Sequence, residues 1–172
     1  MTRRNIELKA RLHDRGRALA VCRELGAEPY GDIRQVDTYF PVGQGRLKLR
    51  ESDPGDDYLV FYHRRDVADA KACDYAIAVV SHSVKPVLAA ALGVLAVVDK
   101  IRTLFLWENV RIHLDSVPEL GDFIEFEAVL SDAYDEADGH RKLARLRETF
   151  GIENGDVLAH SYLDLVRQVG GR

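Results

Sequence analysis

Asn5-Ile6-Glu7-Leu8-Lys9-Ala10-Arg11-Leu12 is the stretch that decides the fold of this chain. Its apolar residues occupy every second position, and polar or charged residues fill the positions between them. This period of two is typical of a β-strand with one apolar face and one charged face. One such strand proves little. The same alternation returns on later strands, however, and strands of this kind can direct all their charges into one cavity.

Composition bounds the class of protein. The chain has 172 residues, of which 47% are hydrophobic and 30% charged, as in soluble globular proteins. This length suits one domain with a sizeable core, and we predict a single domain over residues 1–172. A net charge of -4 argues against a nucleic-acid partner bound through a basic surface.

The location of the protein is predicted from what the sequence does not contain. No apolar run approaches the length of a membrane span, so we expect no membrane partner. Met1-Thr2-Arg3-Arg4 leads straight into a strand and does not resemble a signal peptide. Cys22 and Cys73 fit no metal-ligand or redox spacing. We therefore expect free thiols in a cytoplasmic protein.

Working outward from the first strand, the chain alternates between strand and helix patterns. Strands are predicted over residues 34–40, 46–51, 58–64, 74–80, 95–99, 100–106, 110–115 and 123–130. Helices are predicted over residues 15–25 and 84–92, from a cap at Ser131-Asp132 to about residue 150, and over residues 161–169. In the helix over 84–92, Val84, Val87 and Leu88 begin an apolar stripe. The pattern predicts an α+β fold.

On these strands, charged residues occupy alternate positions, so that within each strand they share one face. They are Glu7, Lys9, Lys48, Arg50, Arg64, Lys100, Arg102, Arg111, His113, Asp115, Glu125 and Glu127. A solvated outer sheet face would also produce such a pattern. Two features favour a lumen. The alternate faces are apolar and can be covered by the amphipathic helices, and the basic pairs lie on middle strands while glutamates lie on the first and last. We therefore expect a closed or nearly closed barrel with the charges inside.

So many charges inside a protein require a compensating ligand. A triphosphate carries about four negative charges, and one or two Mg²⁺ ions can bridge it to carboxylates. Arginine suits bidentate contacts to phosphate oxygens, lysine supplies a point charge, and glutamate is a hard oxygen ligand for Mg²⁺ or Mn²⁺.

Glu7-Leu8-Lys9 resembles the ExExK signature of CYTH-domain proteins, the triphosphate tunnel metalloenzymes. That family includes class IV adenylyl cyclases, thiamine triphosphatases and inorganic triphosphatases. The likeness covers nearly the whole chain and is closest to the bacterial class IV cyclase-like branch. It continues in family order through Gln35–Phe40, Leu47–Arg50, Arg64, Lys100–Arg102, Arg111–Asp115 and Phe123–Glu127. The resemblance implies an eight-stranded antiparallel β tunnel with helices packed on the outside.

The resemblance also implies roles for the residues of the charged face. Phosphates would be bound by Lys48, Arg50, Arg64, Lys100, Arg102 and Arg111. Mg²⁺ or Mn²⁺ would be held by Glu7, Glu125 and Glu127, with Asp115 nearby. Lys9 would approach the reacting phosphoryl group as the catalytic residue. The chain departs from the signature at Asn5, where the first glutamate is expected, and this leaves a second metal site open.

The predicted function is that of a divalent-metal-dependent enzyme acting on a triphosphate-bearing small molecule, such as ATP, thiamine triphosphate or inorganic triphosphate. Attack by water would make it a triphosphatase, whereas attack by a ribose 3′-hydroxyl would make it an adenylyl cyclase. Two alternatives stay open: an enzyme acting on another organic diphosphate or triphosphate of specialised metabolism, and a non-catalytic binder of nucleotide or polyphosphate. A homodimer is also possible.

Overall fold

The computed structural model describes residues 3–170. It contains eight strands: β1 (Arg3–Arg11), β2 (Glu28–Phe40), β3 (Arg46–Asp53), β4 (Asp57–Arg64), β5 (Lys71–Val80), β6 (Ala96–Trp107), β7 (Val110–Val117) and β8 (Gly121–Val129). The α-helices are α1 (Arg15–Glu24), α2 (Val84–Leu92), α3 (Glu136–Thr149) and α4 (Tyr162–Gly170). That residues 1–172 form a single domain stays a prediction, and residues 1–2 and 171–172 lie outside the described residues.

The eight strands form a closed barrel in the order β1-β5-β4-β3-β2-β6-β7-β8. All neighbours are antiparallel, and β1 closes the barrel because it pairs with β5 on one side and β8 on the other. Closure leaves no sheet edge with unpaired backbone groups. The predicted eight-stranded antiparallel barrel with helices outside is confirmed.

The first strand shows why the barrel has a polar interior and an apolar exterior. Ile6, Leu8 and Ala10 are fully buried on the outer face, in one cluster with buried residues of the covering helices: Ala18 and Cys22 of α1, and Leu143 and Leu146 of α3. At Gly139 of α3 a Cβ atom would lie 2.8 Å from a side-chain atom of Ile6, so α3 needs a glycine to approach β1 this closely. Asn5, Glu7 and Lys9, of the other parity, face the lumen.

The largest differences from the predicted strands concern β6 and β2. The predicted strands over 95–99 and 100–106 are wrong as separate elements, because β6 runs unbroken from Ala96 to Trp107. Residues 96–107 contain no glycine or proline that would end the strand at the predicted boundary between Asp99 and Lys100. Residues 28–33 were not predicted as strand, since Pro29 and Gly31 disfavour it. They nevertheless extend β2, with an irregular register between these two residues.

Two helix predictions also need correction. The cap at Ser131-Asp132 is wrong: α3 starts at Glu136, and Asp135 and Asp138 form its capping box. Residues 131–134 instead form a turn closed by a bridge between Ser131 and Tyr134. The apolar stripe of α2 covers no core, since none of its residues is buried. None of the helices in the described range 3–170 combines the length and apolar character needed to cross a bilayer.

Candidate active site

The lumen contains a cavity of about 150 Å³ lined by side chains from the strands and from the start of α4. Ten of the predicted site residues line it: Glu7, Lys9, Lys48, Arg50, Arg64, Lys100, Arg102, Arg111, Glu125 and Glu127. Asp115, the remaining predicted residue, is fully buried behind the lining. The structure therefore brings together a set whose members are separated by up to 120 positions in the chain.

Asp37 neutralises one group of these cations. This fully buried carboxylate accepts hydrogen bonds from Lys48 Nζ at 2.8 Å and from Arg50 Nε and Nη2 at 2.7 and 2.8 Å. Lys100 Nζ lies 3.7 Å away. Burial raises the pKa of Asp37, but Arg50, Lys48 and Lys100 together hold it well below its usual value.

Sequence reasoning missed Asp37 as a site residue. The signal was present, because Asp37 shares its parity with Gln35 and Tyr39 and lies directly opposite Arg50 on β3. Burial, followed by repulsion from Arg50, lowers the pKa of Lys48 to about 8. Lys48 is therefore charged at pH 7, and its pKa would be lower still without the negative charge of Asp37.

Asp115 is a second buried anion, on β7, the other neighbour of β6 in the barrel. It accepts two hydrogen bonds from Arg102, at 2.7 and 2.6 Å, and one from the hydroxyl of Tyr162 at 2.8 Å. Lys100 Nζ is 3.6 Å from it, so this lysine lies between two buried carboxylates. Burial opposes ionisation, but Arg102 and Lys100 hold the pKa of Asp115 far below its usual range. In this structure Asp115 holds the side chain of Arg102 in place. That Asp115 lies near the metal ion stays a prediction.

The first strand contributes a carboxylate, a cation and an amide. Glu7 accepts a hydrogen bond from Arg64 Nη1 at 2.8 Å, and Lys9 Nζ lies 3.0 Å from Glu125. Lys9 Nζ also sits 3.8 Å from the centroid of the Tyr162 ring. Burial and the charge of Glu125 raise the pKa of Glu7. Asn5 lines the same cavity, and its Oδ1 makes no hydrogen bond within the described chain.

His113, Glu125 and Glu127 form a cluster that could hold a metal ion, with one ligand atom of each within 4.8 Å of the others. The barrel register creates it: His113 lies opposite Glu125, and the next inward pair is Arg111 with Glu127. Burial and Arg102 lower the pKa of His113, so the imidazole is neutral at pH 7. The two carboxylates fit Mg²⁺ or Mn²⁺, and the neutral imidazole, which makes no hydrogen bond through Nδ1, is a donor that suits transition-metal ions.

Beyond the cations, the tunnel wall becomes apolar. A second cavity of about 690 Å³ shares part of its lining with the first: Arg50, Val60, Tyr75, Ile77, Arg102, Arg111 and Glu127. One part of its further lining is aliphatic and aromatic and is called the apolar chamber below: Tyr30, Ile33, Tyr58, Val79, Leu104 and Leu106. The rest of its further lining is polar or small: Arg3, Gln35, Ser52, Pro54, Gly55, Asp56 and His113. On β6 the change occurs within one step of the alternation, from Arg102 to Leu104, a distance of about 7 Å along a strand. The sequence analysis did not predict this apolar chamber.

The closed barrel and its charged cavity define a tunnel protein in which cationic side chains outnumber the carboxylates of the lining. The profile of the CYTH domain family matches residues 3–162, and the chain belongs to this family. No curated protein matches the sequence.

Solved structures share the fold at low sequence identity. PH1012 from Pyrococcus horikoshii is 22% identical with a TM-score of 0.80, covering 94% of this chain and 98% of that one. A candidate adenylate cyclase from Vibrio parahaemolyticus is also 22% identical, with a TM-score of 0.77 and coverage of 95% and 98%. HpAC1 from Hippeastrum, a candidate adenylyl cyclase with a dominant triphosphatase activity, is 14% identical, with a TM-score of 0.60 and coverage of 98% and 96%.

Proposed function

We propose that the protein is a divalent-metal-dependent enzyme that acts on the triphosphate group of a small organic molecule. One observation carries the proposal: seven cationic side chains line the same cavity as the glutamates of the His113–Glu125–Glu127 cluster. The cations are Lys9, Lys48, Arg50, Arg64, Lys100, Arg102 and Arg111. They outnumber the three lining carboxylates, and they still do when the buried Asp37 and Asp115 are added, so the cavity favours a polyanion.

The residues of this chain would bind and orient the phosphates. Arg50 and Arg102 present planar guanidinium groups that are already held in place by Asp37 and Asp115, which limits the entropy lost on binding. Lys9 would contact the reacting phosphoryl group. Mg²⁺ or Mn²⁺ held by Glu125 and Glu127, with Glu7 nearby, would neutralise charge that develops on that group and on the leaving phosphate.

The ion pairs imply that triphosphate and metal bind together. Glu125 is 3.0 Å from both Lys9 and Arg102, and Glu7 is paired with Arg64. Phosphates that bind these cations would release the carboxylates to a divalent ion. Each ligand should therefore raise the affinity for the other, as reciprocal coupling requires.

The apolar chamber favours an organic triphosphate over inorganic triphosphate. Leu104 and Leu106 lie one and two alternation steps beyond Arg102 on β6, where an organic group attached to bound phosphates would be placed. ATP and thiamine triphosphate both carry such a group. Hydrolysis and cyclisation remain two outcomes of the same apparatus, as do an enzyme acting on another organic diphosphate and a non-catalytic binder.

The experiment is a comparison of turnover with ATP, thiamine triphosphate and inorganic triphosphate, each with Mg²⁺ or Mn²⁺, with products identified by ³¹P NMR and chromatography. Leu104→Asn keeps side-chain size but removes apolar contact. It should lower kcat/KM for the organic substrate about tenfold, since burying a leucine contributes about 1.5–3 kcal/mol. The value for inorganic triphosphate should not change. Tight binding of all three without turnover would contradict an enzyme.

Cytoplasmic location, the absence of nucleic-acid and membrane partners, and formation of a homodimer stay predictions. The homodimer is tested by light scattering of the purified protein.

A further inference from the structure

His113 presents a buried ring nitrogen with no partner in the described chain. The side chain is 3% exposed, and Nδ1 makes no hydrogen bond. An unsatisfied buried polar atom costs about 1–3 kcal/mol. An atom of this kind, facing two glutamates where His113 and Glu127 line the second cavity, points to a bound group that is not part of the chain.

The position of the nitrogen defines what kind of group this is. His113 Nδ1 lies 3.5 Å from Glu125 Oε2 and 3.8 Å from Glu127 Oε1. Both distances exceed those of ordinary hydrogen bonds, which are about 2.7–3.2 Å. They match the separation of about 3–4 Å between neighbouring ligands of one metal ion, each about 2.0–2.2 Å from it.

We propose that His113 is a nitrogen ligand of the metal ion and makes the site select a first-row transition ion such as Mn²⁺ over Mg²⁺. The inference rests on the proposed metal-dependent function. Mg²⁺ prefers oxygen ligands and retains several waters, whereas neutral imidazole is a ligand for transition-metal ions. The alternative is that His113 only donates its Nδ1 proton toward Glu125, in which case the metal would have oxygen ligands alone.

The test measures nitrogen coordination directly. Wild-type protein is loaded with Mn²⁺ and the bis-methylene analogue of inorganic triphosphate, whose P–C–P bridges do not hydrolyse. The analogue is included because its phosphates should draw Lys9 and Arg102 away from Glu125. Electron spin echo envelope modulation of bound Mn²⁺ should show ¹⁴N coupling. This coupling should disappear when the protein is labelled with [¹⁵N]histidine, which separates imidazole from arginine or lysine nitrogen.

His113→Gln should abolish the ¹⁴N coupling and weaken Mn²⁺ binding by about 10- to 100-fold, with a smaller change for Mg²⁺. Binding is followed by the EPR signal of free Mn²⁺ and by Mg²⁺ competition. His140→Gln, on the exposed surface of α3, is the matched control and should behave as wild type. If His113→Gln does not fold, the labelled wild-type protein still decides the question.

The outcomes distinguish failure of the His113 assignment from failure of the proposed metal-dependent function. Mn²⁺ that binds with the analogue but shows no histidine nitrogen would overturn the role of His113 and leave the proposed function standing. ¹⁴N coupling retained in His113→Gln would do the same. Failure of Mn²⁺ and Mg²⁺ to bind the wild type with the analogue would overturn the metal-dependent function itself.

Discussion

Asp37→Asn tests whether buried anions hold the cations of the tunnel in place. Asp37 is fully buried and contacts Lys48 and Arg50 directly, with Lys100 within 3.7 Å. The asparagine keeps the shape but removes the charge, so Arg50 is left buried without its anion. Breaking a buried ion pair in this way costs about 3–5 kcal/mol. Lys48, whose pKa is already about 8, should lose its proton in the variant and so limit the cost.

For a protein of this size, such a loss lowers Tm by about 6–20 °C. Calorimetry or thermal unfolding by circular dichroism measures it. Inorganic triphosphate added in the presence of EDTA should restore most of the loss, because its phosphates supply the missing negative charge and a ligand at 1,000 times its Kd adds about 4 kcal/mol. The absence of metal prevents turnover during the measurement.

Asp99→Asn is the matched control. Asp99 also pairs with an arginine, Arg34, through both carboxylate oxygens, but its side chain is 43% exposed whereas that of Asp37 is 0% exposed. An exposed pair contributes about 0–1 kcal/mol, so this variant should melt within about 4 °C of wild type. If Asp37→Asn were no less stable than Asp99→Asn, the tunnel cations would not depend on a buried anion.

Three further perturbations address the metal, pH and the departure from the family signature. Glu125→Gln keeps shape but removes charge, so the Mn²⁺ concentration for half-maximal activity should rise about tenfold or more; an unchanged metal requirement would remove Glu125 from the metal site. Burial lowers the pKa of Lys48 to about 8. Because only the protonated form attracts phosphate, triphosphate affinity should be close to its maximum below about pH 7 and fall by up to about tenfold per pH unit above pH 8. Calorimetric titration across pH 7–10 measures this, and a slope in Lys48→Arg equal to that of wild type would contradict it. Asn5→Glu restores a charge beside Glu7 and should lower the metal concentration for half-maximal activity, and unchanged metal dependence and substrate preference would place Asn5 outside the working site.

The comparison of sequence and structure is clearest for the cations. The sequence analysis expected an excess of like charges facing one another in the tunnel, to be neutralised by a ligand. The structure instead gives Arg50 and Arg102 anions of their own, Asp37 and Asp115. The cations are thus positioned before any ligand binds. A substitution such as Arg50→Ala would remove one of the hydrogen-bond donors to Asp37.

The sequence by itself determined which side chains face the lumen. In an extended chain successive Cβ atoms point to opposite faces, so local covalent geometry assigns Glu7 and Lys9 to one side and Ile6 and Leu8 to the other. The apolar side then required covering helices, which bury it on β1, β7 and β8.

Only the tertiary structure decided which inward residues contact each other. Register between strands is a long-range property, set by packing and by the turns and irregularities of the whole barrel. It places His113 against Glu125, and Asp37 opposite Arg50. It also aligns the apolar ends of β4, β5 and β6 into one chamber beyond the cations. No local pattern contains this information, because each contact joins residues from different strands whose alignment is settled only when the barrel closes.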